Sequence, residues 1–242
     1  FDGRVGGPSC LRPPSRHTHT YILPPPPPPP HLLVTMKFTA IVLALAMGTA
    51  SAFTTTAWTR QTRRSAKSAM SMKAALFYST TTGNTETCAG YIAEATGLSP
   101  VDIGDASADD VTSCDDLICG APTWHTGADE QRSGTEWDSF LYDTLPGMDL
   151  SGKKVAIFGL GDQAGYGDNF CDAMGELYDL FTAAGATVVG ATSTDGYDHA
   201  DTKSIRDGKF VGMPFDEDNQ YDMSEDRAKS WVEQLKGEGM SL

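Results

Sequence analysis

Basic residues are scarce over most of this chain. Of the 18 Lys and Arg in 242 residues, 8 fall in the first 70 beside a single acid, Asp2, which leaves 10 bases against 31 acids in the remainder, a net charge of −21 there. A body this acidic repels nucleic-acid backbones and anionic membrane surfaces and favours partners that carry basic patches. Cysteine is sparse too. Past Cys10, the residues Cys88, Cys114, Cys119 and Cys171 form no C-x-x-C pair and no iron–sulfur spacing, so buried free thiols are expected. With only His125 and His199 beyond residue 70, no zinc-type spacing exists and His125 is not read as a metal ligand. No apolar run reaches the ~20 residues of a membrane span, and no internal repeat or second domain is visible.

The first 70 residues do not read as part of a fold. Residues 1–35 include seven consecutive prolines at 24–30, an extended polyproline segment. This stretch is either a proline-rich ligand or spacer, or leader sequence upstream of a start at Met36. Residues 36–52 have the form of a signal peptide: Lys37, an apolar stretch at 38–47, then Gly48, Thr49, Ala50, Ser51 and Ala52. Residues 53–70 are rich in Ser, Thr and Ala, carry Arg60, Arg63, Arg64 and Lys67, and contain no acid, which is the composition of a transit peptide. The pair resembles the two-part address of algae whose plastid lies inside extra membranes. The mature domain is therefore expected over residues 71–242, in the plastid (chloroplast stroma).

Within that domain, strand-like apolar runs alternate with helical periodicity. Strands are expected at 73–78, 100–103, 117–121, 154–160 and 187–190, and helices at 85–95, 170–184 and 224–235. Strand-helix alternation implies an α/β fold with a parallel sheet covered by helices on both faces. Between Gly190 and Val211 lie twenty residues dominated by Thr, Ser, Asp and Gly without a period. Such a segment is either a functional loop or an edge-strand insertion with a structural or partner-facing role.

Three loops follow strands and carry candidate chemistry. The first reads Ser79, Thr80, Thr81, Thr82, Gly83, Asn84, Thr85, with hydroxyls and free N–H groups at a helix start and no Lys or Arg nearby. This excludes a Walker-type loop and suits a phosphate monoester on which no chemistry occurs; a plain helix cap is the competing reading. The second reads Pro122, Thr123, Trp124, His125, Thr126, Gly127, and the third runs from Gly159 through Leu160, Gly161, Asp162 and Tyr166 to Asn169 and Phe170. In a doubly wound sheet all three emerge at the carboxyl ends of strands, where strand order reverses and ligands bind. Trp124 and Tyr166 either face each other across a flat ring or are loop aromatics engaged in packing.

These motifs, with Ser193-Thr194-Asp195-Gly196-Tyr197 and Asp216-Glu217-Asp218-Asn219, resemble the long-chain flavodoxins over residues 73–235. The resemblance implies a five-stranded flavodoxin-like sheet of order 2-1-3-4-5 and non-covalent FMN. It places the phosphate on residues 79–85, the isoalloxazine between Trp124 and Tyr166, Asp162 and its neighbours near the pyrimidine edge, and Asp218 near the ribityl chain. Residues 192–210 correspond to the insertion that defines the long-chain group. In the family a backbone carbonyl after the tryptophan turns toward the protonated flavin N5 upon one-electron reduction. Here that residue is His125, where relatives carry Asn or Gly; the competing reading is an exposed imidazole with no chemical part.

A negative charge added to FMN in so acidic a domain, with no compensating cation, drives the second reduction to low potential. The resemblance and the N-terminal address together imply a one-electron carrier, expected to be monomeric, that takes electrons from photosystem I to ferredoxin–NADP reductase in place of ferredoxin. It needs no catalytic acid or base. The alternative on the same fold is an FMN-dependent NAD(P)H or quinone reductase, which the scarcity of Arg and Lys disfavours. A signalling receiver would need Asp at the end of the third strand, where Gly120 and Ala121 stand.

Overall fold

A computed structural model describes residues 72–242. The expectations for residues 1–35, 36–52 and 53–70 lie outside the described residues.

The sheet is parallel and six-stranded, with five strands, β1 (Met72–Tyr78), β2 (Pro100–Asp102), β3 (Cys114–Pro122), β4 (Lys154–Leu160) and β5 (Thr187–Val189), in the order β2-β1-β3-β4-β5. Among the described residues three α-helices of three or more turns cover it, α1 (Asn84–Thr96), α2 (Asp172–Ala183) and α3 (Tyr221–Gly237), together with a mixed helical run over residues 136–147 that begins as α and continues as π and 3-10. Period-two alternation in the central strands sends side chains to opposite faces. Leu76, Ile118, Ala156 and Phe158 pack against Cys88 and Ile92 of α1 and Trp231, Val232 and Leu235 of α3. Phe77, Leu117, Cys119, Val155 and Ile157 pack on the other face against Met174, Leu177 and Phe181 of α2 and against Trp137. Because both faces are covered, β3 is buried at every position but one. All four cysteines at 88, 114, 119 and 171 are free and buried, as their spacing indicated.

The edge beyond β4 differs from the expected single strand. β5 pairs with residues 154–156 of β4, and a further strand, β6 (Met213–Phe215), pairs in parallel with Phe158, Gly159 and Leu160. The fifth position is thus shared by two segments separated by the insertion. Pro214 in β6 is tolerated because the segment is an edge. The insertion is not structureless. A two-residue hairpin, Ile205–Arg206 with Lys209–Phe210, anchors it, and Tyr197, His199 and Phe210 cluster around Phe170 with ring centroids 5.3–6.0 Å apart. Its hydroxyls and amides reach the loop after β4: Ala200 and Asp201 donate N–H bonds to Gly167 O, and the Thr202 hydroxyl donates to Phe170 O.

Candidate functional site

The loops after β1, β3 and β4 meet at the carboxyl ends of the strands, where the order reverses, around a cavity of about 430 Å³. The β1 loop contributes Thr82, Asn84 and Thr85, the β3 loop Pro122, Thr123, Trp124 and Thr126, and the β4 loop Leu160, Gly161, Asp162, Tyr166 and Asn169. Glu217 and Asp218 line it from the segment before α3.

At the β1 end, Gly83 caps α1 with φ 94°, a left-handed conformation that a β-carbon disfavours. Its N–H donates to the Thr80 hydroxyl at 3.0 Å. The first backbone bond of α1 runs from Thr87 N–H to Gly83 O, so the N–H groups of Asn84, Thr85 and Glu86 lie ahead of the helical ladder, at the positive end of its dipole. Thr85 is 1% exposed, and its hydroxyl is buried without a hydrogen-bond partner among the described residues. An unsatisfied buried hydroxyl costs about 1–3 kcal/mol, so it marks a place where a ligand acceptor belongs.

The walls of the cavity are aromatic. Trp124 is 48% and Tyr166 59% exposed, while Trp137 and Trp231 are wholly buried. Two large exposed rings flanking one cleft present apolar faces to an incoming flat group rather than to the core. At the far end Asp162 accepts N–H bonds from Ala164 and Gly165 and a side-chain bond from Asn219. The Gly165 amide and the Asn219 side chain hold its carboxyl below the usual carboxylate range. Asp218 is pushed the opposite way, by desolvation and then by the charges of Asp162 and Asp216. Asp216, fully buried, accepts from the amides of Gln163, Asp218 and Asn219 and thereby ties the β4 loop to residues 216–219. Gly161 is required where it stands: a Cβ there would come within 2.6 Å of Cys171 N.

Other expected residues fall elsewhere. Ser79, Thr80 and Thr81 face a second, open cleft with Asp102, Asp105 and Glu136. Gly83 and Gly127 supply turns with φ 94° and 77°, Gly159 packs against Met174, and Phe170 is buried in the cluster beneath the insertion. His125 stands outside the cavity lining. Its carbonyl accepts from Ala128 N–H at 3.2 Å, closing a turn with Gly127 at its third position, and φ at His125 is not positive. Its ring Nδ1 lies 2.6 Å from Gln131 O, where it must donate. Glu217 stands in the 216–219 motif but was not singled out there; its carboxylate accepts a bond from the Cys88 thiol, a partner 129 residues away that no local pattern announces.

No Lys or Arg lines this cavity, whose donors are hydroxyls and amides and whose far end is acidic. A family model described as flavodoxin matches residues 76–231. The chain belongs to the flavodoxin family. Flavodoxins are electron-transfer flavoproteins that use FMN, and this flavodoxin is an electron carrier rather than an enzyme. It is 49% identical over 172 residues to a flavodoxin of Nostoc sp., covering 70% of this chain and 98% of that one. It is 47% identical over 170 residues to a flavodoxin of Trichodesmium erythraeum, covering 69% and 97%. Among solved structures, the Fusobacterium nucleatum flavodoxin bound to flavin mononucleotide aligns with a TM-score of 0.62 at 31% identity, over 68% of this chain and 97% of that one. The doubly wound sheet of this flavodoxin agrees with that likeness.

Proposed function

We propose that the cavity holds non-covalent FMN and that the protein shuttles single electrons from photosystem I to ferredoxin–NADP reductase in a plastid. The unpartnered Thr85 hydroxyl carries this reading: it lies with the open amides of α1 at one end of a cleft flanked by Trp124 and Tyr166. Of the Thr-rich loop, Thr82, Asn84 and Thr85 hold the phosphate through hydroxyls, amides and the helix dipole. Trp124 and Tyr166 cover the ring faces and exclude water, Asp162 with Gly161 borders the pyrimidine edge, and Asp218 lies by the ribityl chain. When bound, FMN supplies the one-electron chemistry. The protein's share is electrostatic: a domain of net charge −21 with no cation at the cavity wall disfavours a further negative charge and keeps the lower potential low.

The partners follow from charge and address. An acidic surface is steered to basic patches, and the composition of residues 36–70 supports plastid delivery. No helix among the described residues is long and apolar enough to cross a membrane. The test combines FMN-reconstituted protein with photosystem I particles, ferredoxin–NADP reductase and NADP⁺ under illumination. NADPH formation that depends on the added flavoprotein supports the route. Its absence, with FMN bound and reducible, would reject these partners.

A further inference from the structure

The segment that carries Trp124 and His125 is held from a distance. Glu176, on the second turn of α2 and 4% exposed, points both carboxylate oxygens at it: Oε1 accepts Gln131 N–H at 2.7 Å and Oε2 accepts Arg132 N–H at 2.8 Å. The Tyr142 hydroxyl donates to Oε1 as well. Gln131 sits at φ 57°, a left-handed conformation that a non-glycine residue keeps only when its surroundings enforce it. The two residues so fixed then hold the functional end of the loop. Arg132 O accepts the N–H groups of Trp124 and His125, each at 3.1 Å, and Gln131 O accepts the His125 ring. The Arg132 guanidinium closes the far side by donating to Ala128 O and Asp129 O.

We propose that Glu176 is the positioning residue of this loop: its carboxylate fixes Gln131 and Arg132, and through their carbonyls it sets the backbone of Trp124 and His125 at the flavin cavity. The inference rests on the FMN reading above. A carboxylate suits the task because two parallel N–H groups need two acceptor oxygens, which Gln does not offer. The turn at residues 125–128 is tied at its two ends, His125 to Gln131 and Arg132 and Ala128 to Arg132 and Lys203, which leaves Thr126 and Gly127 between them as the residues freest to rearrange. Glu176 touches neither cavity nor ligand, so its effect is indirect.

The test compares Glu176→Gln with wild type and with Asp179→Asn, an exposed site on the same helix. Three quantities are read on the full chain: hydrogen exchange of loop amides in the apoprotein, FMN affinity, and the first of the two one-electron potentials. The expected result for E176Q is faster exchange at Gln131 and Arg132, an FMN Kd raised about 10-fold, the loss of one charge-assisted bond, and a moved first potential. Removal of a charge alone acts mainly on the second potential, because the first electron enters with a proton and adds no net charge, so a moved first potential, which Asp179→Asn should leave in place, is the readout of positioning. Wild-type affinity and first potential in E176Q overturn the proposal, even if its unfolding midpoint falls. If E176Q does not fold, Tyr142→Phe, which deletes only the hydroxyl on the same carboxylate, is read identically. A smaller rise in Kd with a moved first potential supports the proposal, and wild-type values overturn it. Wild-type protein that binds no FMN would instead sink the cofactor reading.

Discussion

The β1 loop and the β3 loop bound the same cavity and are built in opposite ways. Residues 79–85 are organised by their neighbours in sequence: Thr80 takes the Gly83 amide, Gly83 supplies the left-handed cap, and α1 begins at once. Residues 123–134 are organised by strangers. Glu176 takes two of their amides, Ala173 donates to Thr123, and Lys203 of the insertion donates to Ala128 O at 2.9 Å, while Asp138, a local partner, takes the amides of Ser133 and Gly134. A locally encoded loop presents fixed donors to a fixed group such as phosphate. A loop fixed by a remote carboxylate can hold most of its length rigid while one turn keeps a second conformation within reach.

Four experiments test this contrast. The largest effect is expected from removing a ring. Trp124→Ala should weaken FMN binding about 10- to 100-fold, on the scale of aromatic stacking at ~1–3 kcal/mol, and shift the potentials, whereas Tyr166→Ala should do so less. Fluorescence titration reads both, and unchanged affinity in both would remove the aromatic walls from the site. Next is Thr85→Val in the locally built loop. It deletes a hydroxyl that has no partner in the apoprotein, so urea unfolding of the apoprotein should be unchanged or shifted to slightly higher stability. FMN binding should nonetheless weaken about 10-fold. An equal loss in both measurements would mean that the hydroxyl is structural.

A smaller effect concerns partners. Electron-transfer rates to the reductase should fall as salt rises and the Debye length shrinks from ~30 to ~8 Å. Rates that ignore ionic strength would remove the case for acidic steering. The smallest effect is titration at the far end of the cavity. The carboxyl of Asp162 lies below the usual range, so its stabilisation is whole above the ordinary value near ~4 and is lost as pH falls through the lowered one. Asp218 lies above the usual range, so its ionised form costs the fold stability at neutral pH, and the cost vanishes as pH falls below ~4. Asp218→Asn should therefore stabilise the apoprotein at pH 7 by a fraction of a kcal/mol, given its exposure, and by nothing at acid pH. Denaturant titrations at both pH values check this.

How much of this was legible in the sequence follows the same division. The central strands and three long helices show because their apolar period is a local signal. Observed helix ends lie within three residues of the expected ones, as with Asn84–Thr96 against 85–95 and Tyr221–Gly237 against 224–235. β6 did not show, because three residues containing a proline carry no strand signature and pair only once the insertion returns the chain to β4. The five-residue helix at Ala108–Thr112 is below the length at which a period can register, although Ser107 and Asp110 form a capping box around it. The helical run over residues 136–147 was missed although Trp137, Phe140, Leu141 and Leu145 stand at helical spacing, because its winding changes from α to π to 3-10 within twelve residues. In the site, the rings, the Thr-rich loop and Asp162 were readable as motifs. Glu176 was not, since it acts on residues more than forty positions away and in sequence is one acid among many; Glu217 lies in the 216–219 motif, but its bond to Cys88 is equally remote.

If the cavity recognises a phosphate through unpartnered hydroxyl and amide donors, without a cation, titration of the apoprotein with FMN and with riboflavin, which lacks the phosphate, will separate the two flavins. FMN should bind far more tightly than riboflavin, and Thr85→Val should narrow that gap while leaving riboflavin affinity unchanged. Equal affinity of the wild-type protein for the two flavins would contradict such recognition.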